Sequence, residues 1–174
     1  NDTATTEIYT LSLHDALPIL KNLTKRTSRA KWQRFWDRSP AGRQVYEHCP
    51  KIPTGSFKSV TSKSAEVKIL RLKSGHTRLK SHLFRLKLVD SPNCECETDA
   101  QTIHHVIMKC PLFNDQRMLL FNNMELTFSR HNTPPWERII TLSELLWPTF
   151  EDVTTRLEIT QHLAHFLNAI KLDI

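Results

Sequence analysis

Cys94, Cys96, His105 and Cys110 stand within seventeen residues in the spacing C-x-C-x8-H-x4-C, and this cluster constrains the fold more than any other feature of the chain. Three soft thiolates and one imidazole suit tetrahedral zinc. Four protein ligands leave no open position, so a structural ion, one per chain, is predicted rather than a catalytic one. The neighbouring residues fit such a loop: Ser91-Pro92-Asn93 turns the chain into the first ligand pair, and Pro111 ends any helix directly after the last. In a straight α-helix positions 105 and 110 point about 140° apart. Cys110 is therefore expected where the helix unwinds. His104 competes as a ligand, but H-x4-C is the recurrent knuckle spacing, which leaves His104 to solvent or to an outer contact. A Cys94–Cys96 disulfide would close a strained, very short ring, and Cys49, far upstream, reads as a free thiol. With three thiolates the centre carries a formal −1, and Glu95, Glu97 and Asp99 surround it. It would repel phosphate. Its physical role is to pin helices in a domain with a modest core, since metal binding in zinc-finger peptides contributes ~10 kcal/mol or more to folding.

With 174 residues the chain has room for one domain, or one and a half. No apolar run reaches the roughly 18 residues a spanning helix needs, so no membrane role is expected. Gly42, Gly55 and Gly75 stand too far apart to build a phosphate-cradling loop. The net charge of +6 conceals a sharp division. Residues 1–19 carry three acids and no Lys or Arg, residues 20–90 carry eighteen Lys/Arg against four acids, and residues 91–174 carry six against eleven. A segment of +14 calls for counter-ions, and a polyanion is the commonest partner; the alternative is a solvated basic face.

The string TLSLHDALPI within residues 1–19 resembles translated sequencing-adapter sequence, and this block is expected to be disordered and without function. Residues 20–46 read as a basic amphipathic helix with a short extension; Ala30, Trp32, Phe35 and Trp36 form an apolar stripe, and a weak strand signal lies around Arg43–Tyr46. Residues 47–61 have the Pro and Ser/Thr content of a linker. Residues 62–90 read as a basic helical hairpin: one helix from Ser62 to Ser74 with Ala65, Val67, Ile69 and Leu70 apolar, and a second from Thr77 to Leu88 with Leu79, Leu83 and Leu86 as its core stripe. Gly75 is placed as the first helix's C-cap. After the knuckle at 91–111, residues 112–174 read as helical: Leu112–Leu126, one or two short helices over Trp136–Trp147, and a closing helix over Val153–Leu172 with Val153, Leu157, Ala164, Leu167 and Ile170 at near-helical spacing. The predicted fold is mainly α: a small helical domain organised around a CCHC knuckle, with an extended N-terminal region.

The segment LRLKSGHTRLKSHLFRLKLVDSPNCECETDAQTIHHVIMKCPLF resembles the region that follows the RNase H domain in polyproteins of LINE-type (non-LTR) retrotransposons. There an R-x-x-[ST]-G-H stretch leads through L-x-x-H-L to a CCHC knuckle ending in H-x4-C-P. The match runs through Arg71, Ser74, Gly75, His76, Leu79, His82, Leu83, Pro92, Cys94, Cys96, Thr102, His105, Cys110, Pro111 and Phe113. Upstream, Trp32, Gln33, Trp36, Ser39, Gly42, Arg43 and Tyr46 are similar to the family's W-Q-x-x-W-x-x-S-x-x-G-R-x-x-Y linker. Two positions depart from the pattern. Glu97 stands where the family has Gly, which predicts a strained backbone, and Gln101 replaces a Glu.

The resemblance implies a parent polyprotein with reverse transcriptase and RNase H activities, whose catalytic carboxylates lie upstream of this segment. It also implies a nuclear location with a cytoplasmic assembly phase. No carboxylate–lysine set of an endonuclease is found in residues 112–174, where Lys171 is the single lysine. The chain is therefore expected to be no enzyme itself. The expected function is a nucleic-acid-binding accessory domain that holds template RNA or target DNA. Phosphate contacts are assigned to Lys68, Arg71, Lys73, Arg78, Lys80, Arg85 and Lys87, assisted by Lys31, Arg34 and Arg38. Trp32 and Trp36 are candidates for base stacking, against the more ordinary place of such aromatics in a core. His76 and His82 are read as packing or capping residues. The alternative is a zinc-stabilised interaction module that docks an acidic protein surface.

Overall fold

The structure, a computed structural model, describes residues 13–53, 61–135, 138 and 140–174, with side chains from residue 16 onward. Among these residues it is mainly α, with no strand and one isolated antiparallel bridge, Asn93 to Ala100. It divides into two compact units, Asn1–Thr54 and Gly55–Ile174.

The first unit holds α1 (Leu13–Arg38) and α2 (Arg43–His48). The helix expected from residue 20 begins at Leu13, so residues 13–19, expected to be disordered, form its first turns. Leu and Ala favour helix there, although Pro18 cannot donate to the carbonyl of residue 14. The expected disorder of residues 1–12 lies outside the described residues. The strand signal at Arg43–Tyr46 gives way to α2, because Gly42 turns the chain in the left-handed region (φ 72°) directly before it. A Cβ at Gly42 would sit 3.0 Å from the Trp36 ring, so glycine is required by both backbone and space. The Arg43 guanidinium then reaches back to the Trp36 carbonyl at 2.5 Å and the Asp37 carbonyl at 3.3 Å, satisfying the end of α1.

The beginning of the expected linker, residues 49–53, is strapped along α1. Trp36 Nε1 donates to the Cys49 carbonyl (2.9 Å), Gln33 Nε2 donates to the Pro50 carbonyl (2.7 Å), and the Ile52 amide donates to Gln33 Oε1 (2.9 Å). Arg29 donates to the Pro53 carbonyl. The rest of the linker, residues 54–60, lies outside the described residues.

In the second unit α3 (Lys63–Ser74), α5 (Asn114–Arg130) and α7 (Val153–Ala169) pack around one core, with α4 (Lys80–Arg85) and α6 (Leu142–Leu146) at its margins. The Ser62 hydroxyl caps α3 and Gly75 ends it at φ 74°, as the sequence predicts. Its inward row is Ala65, Ile69 and Leu72, while Val67 and Leu70 are exposed. The second hairpin helix is shorter than expected. Leu79 is its buried N-cap, Leu83 is half-buried and Leu86 is exposed, because Lys87 adopts φ 60° and stops the helix before a third leucine can turn inward. On and just after α7 the buried register is Thr155, Ile159, Leu163, Ala164, Phe166, Leu167 and Ile170, which keeps Ala164, Leu167 and Ile170 of the expected row and leaves Val153 and Leu157 outside. Asp152 sets that register: its carboxylate accepts from the Thr155 amide (2.6 Å) and hydroxyl (2.7 Å), which turns Thr155 inward.

A polar network crosses from α5 to α7. His131 contacts Glu158 (3.2 Å) through Nε2 and Asp152 (3.5 Å) through Nδ1, Arg130 pairs with Glu158 at 2.6 Å, and the Thr127 hydroxyl donates to Glu158 at 2.9 Å. Burial works to raise the Glu158 pKa, but the bonds from His131, Thr127 and Arg130 leave it below 4.5; hydrogen bonds from Thr155 hold Asp152 below 3.8. A depressed carboxylate contributes its stability above the unfolded pKa and loses it as pH falls through the folded value. The melting temperature should therefore decline as pH drops below about 4. Glu158→Gln should lower it at neutral pH and flatten the acid decline, read by thermal denaturation across a pH series.

Candidate metal centre and basic faces

The loop from Pro92 to Gln101 is built to present two cysteines. The Cys94 amide donates to the Asp99 carbonyl (2.9 Å), the Gln101 amide to the Pro92 carbonyl (2.8 Å), and the Glu97 amide closes a tight turn on the Cys94 carbonyl (3.0 Å). That turn places Glu97 at φ 60°, the strained conformation its position predicts. Gln101 is buried, and its Oε1 accepts from the Lys80 amide (2.9 Å) at the start of α4. The position at which the sequence departs from the resembled pattern thus ties the loop to the hairpin.

The other two ligands come from a single turn of π-helix, His105–Lys109. Thr102 starts it, with its hydroxyl accepting from the His105 amide at 3.0 Å. The Cys110 amide ends it on the His105 carbonyl at 2.7 Å, an i to i+5 bond. The wider turn returns the chain to the same side after five residues and removes the angular conflict of a straight α-helix. Pro111 opens a short 3-10 turn, Pro111–Phe113, that leads into α5.

The four ligand atoms of Cys94, Cys96, His105 and Cys110 lie within 4.8 Å of one another, a group that can hold a metal ion and is compatible with zinc. Cys94 and Cys110 Sγ are 3.7 Å apart, close to the ~3.8 Å edge of a tetrahedron with Zn–S bonds of about 2.3 Å. That separation is far beyond the ~2.05 Å of a disulfide. His105 presents Nε2 to Cys96 Sγ at 3.1 Å and turns Nδ1 toward the Asp99 carboxylate, 4.0 Å away, the orientation of a metal-binding imidazole steadied from behind. His104 is exposed and outside the group.

The thiols are not equivalent. Desolvation opposes ionisation of Cys96, but hydrogen bonds from the Thr98 hydroxyl (3.1 Å) and amide, from Cys94 and from His105 bring its pKa down to about 6. Burial pushes Cys110 up to about 11. Sequence reasoning missed the residue that anchors this side: Arg117 of α5 is buried, its Nε donates to the Ile107 carbonyl at 2.8 Å, and its guanidinium also holds the Cys110 carbonyl. A buried arginine beside a thiolate cluster is not separable by sequence from a surface one.

The residues assigned to phosphate contact fall into two groups. On α3, Lys68 donates to the Leu167 carbonyl (2.9 Å) and Arg71 to the Ile174 oxygen (2.6 Å), and between α3 and α4 Arg78 pairs with Asp173 (2.5 Å). Lys73 lies over the Trp147 ring, Lys80 faces Glu95 and Arg85 contacts His82 Nδ1. His76 and His82 stack edge to face at 5.6 Å. Lys87 is exposed. Lys31, Arg34 and Arg38 all project from α1 into solvent.

A stretch of 107 residues, 62% of the chain, is 32% identical to the "Retrovirus-related Pol polyprotein from type-1 retrotransposable element R1 3" of Nasonia vitripennis. The aligned stretch spans 27% of that relative's length. This similarity supports a non-LTR retrotransposon origin. No protein-family model matches the chain, and no solved structure does.

Cys94→Ser or His105→Ala should abolish binding of one metal equivalent per chain, and His104→Ala should retain it, by elemental analysis of the purified protein. Arg117→Met should weaken metal affinity about 10- to 100-fold, as loss of an outer hydrogen-bond partner does. Glu97→Gly should stabilise the metal-bound protein by about 1 kcal/mol through relief of the left-handed backbone.

Proposed function

We propose that the chain is a nucleic-acid-binding accessory domain of a retrotransposon polyprotein, with one structural zinc and no catalytic step of its own. Its partners would be template RNA or target DNA and the other domains of the polyprotein. The four-ligand centre supports a structural role, since four protein donors fill a tetrahedral ion.

The observation that carries the binding role is the charge of α1. Between residues 20 and 38 it has seven basic residues and a single acid, Asp37, whose carboxylate is taken by Gln33 (2.7 Å) and Tyr46 (3.1 Å). Among the described residues no ion pair neutralises any of the seven. In the second unit several of the hairpin cations have carbonyl or carboxylate partners, which leaves Lys87 as the more available phosphate contact there. A protein-docking role is favoured by one separate observation: Leu112, Leu119 and Leu126 stand seven residues apart and are all more than half exposed.

Binding of the full chain to single-stranded RNA should fall steeply with salt. Four neutralised phosphates give a slope of log K against log salt of about −3. Alanine at Lys31, Arg34 or Arg38 should each reduce that slope by about 1. A flat response, or no binding at about 50 mM salt, would overturn the reading in favour of protein docking.

A further inference from the structure

Among the described residues, two aromatic rings on α1 have no packing role that accounts for them. Trp32 is 68% and Phe35 69% exposed, whereas Trp36 is engaged through its Nε1 bond to Cys49, its contact with Gly42 and its tilted packing on Tyr46 at 5.6 Å. Trp32 stands between two shallow apolar grooves formed where residues 52 and 53 lie against the helix. One, of about 430 Å³, is completed by Lys25, Ser28 and Arg29; the other, of about 280 Å³, by Phe35 and Trp36. Basic side chains therefore border flat apolar surface on one face, and the Nε of Arg29, shielded from water, has no hydrogen-bond partner among the described residues.

We infer that the Trp32–Phe35 ridge is a stacking site for the unpaired bases of single-stranded nucleic acid, with the α1 cations holding the flanking phosphates. The inference deepens the proposed nucleic-acid role and rests on it. Charge selects the occupant: an apolar protein surface would leave seven cations uncompensated, whereas a single strand supplies a π-face and a negative charge at every nucleotide. A duplex would offer the phosphates and conceal the bases. It also follows that Trp32 contributes to binding and Trp36 to folding, although both are tryptophans of the same motif.

The test compares the full, metal-loaded chain with Trp32→Ala/Phe35→Ala, using a single-stranded RNA of about 12 nucleotides, an abasic strand and a duplex of equal length, by fluorescence anisotropy across a salt series. The double variant should bind the single strand about tenfold or more weakly, with the salt slope and the abasic and duplex affinities unchanged. Trp32→Phe should keep most of the affinity, and circular dichroism should show unchanged helix content. If the double variant binds the single strand as the unaltered chain does, with the same steep slope, the stacking site is overturned while the nucleic-acid role stands. If the unaltered chain binds none of the three probes, both fall. If the double variant keeps its nucleic-acid affinity but loses binding to an isolated polymerase domain of the polyprotein, the ridge is a protein contact and the inference is wrong.

Discussion

The bond from the Cys110 amide to the His105 carbonyl determines what the second unit can be. By closing over five residues instead of four, it lets one turn of chain supply two ligands on the same side and deliver Pro111 to the start of α5. A π-turn is poorly stabilised by itself. Here it is flanked by Val106 and Ile107, both fully buried, and by the Arg117 guanidinium on the carbonyls of Ile107 and Cys110. A metal ion would add a bond from each end of the same turn. An ion held there would couple its binding to the folding of this unit, since it would bridge the 92–101 loop and the turn that leads into α5.

The distribution of charge follows from how the unit closes. The acidic balance of residues 91–174 reads in the sequence as a counterweight to the basic hairpin, and part of it acts that way through Asp173. Lys68 instead reaches an uncharged oxygen, the Leu167 carbonyl near the end of α7, where unsatisfied acceptors collect. A sum of charges cannot detect that. It assigns every lysine and arginine of the hairpin to an outside partner, whereas geometry gives several of them an inside one.

Legibility in the sequence was greatest where a feature is local. The Cys/His cluster falls within seventeen residues, and the unwinding at Cys110, the C-cap at Gly75 and the strain at Glu97 depend on residues a few positions apart, so spacing encodes them directly. On α7 the apolar spacing holds for Ala164, Leu167 and Ile170, all buried, whereas Val153 and Leu157 face solvent because the cap at Asp152 turns Thr155 inward instead. The leucine row ending at Leu86 failed for a similar reason. Nothing in L-x-x-x-L-x-x-L announces that Lys87 will adopt a left-handed backbone and end the helix one turn early. Arg117 was invisible because its partners are backbone carbonyls contributed by another element.

The linker motif of the first unit shows how much of a sequence pattern can be reduced to contacts. Gln33 uses both ends of its amide on the strap, donating to Pro50 and accepting from Ile52; Trp36 adds the bond to Cys49 and needs Gly42 for room. Arg43 lies 4.0 Å over the Tyr46 ring while it caps α1, and the Tyr46 hydroxyl donates to Asp37. Each of these residues has a partner inside the unit that explains its chemical type. Among the described residues Trp32 differs: it opens the same motif, yet it supplies no hydrogen bond to the strap and leaves most of its ring to solvent. On the proposed stacking role, the exposed ring beside the α1 cations is explained by the bases it would bind rather than by what it holds together.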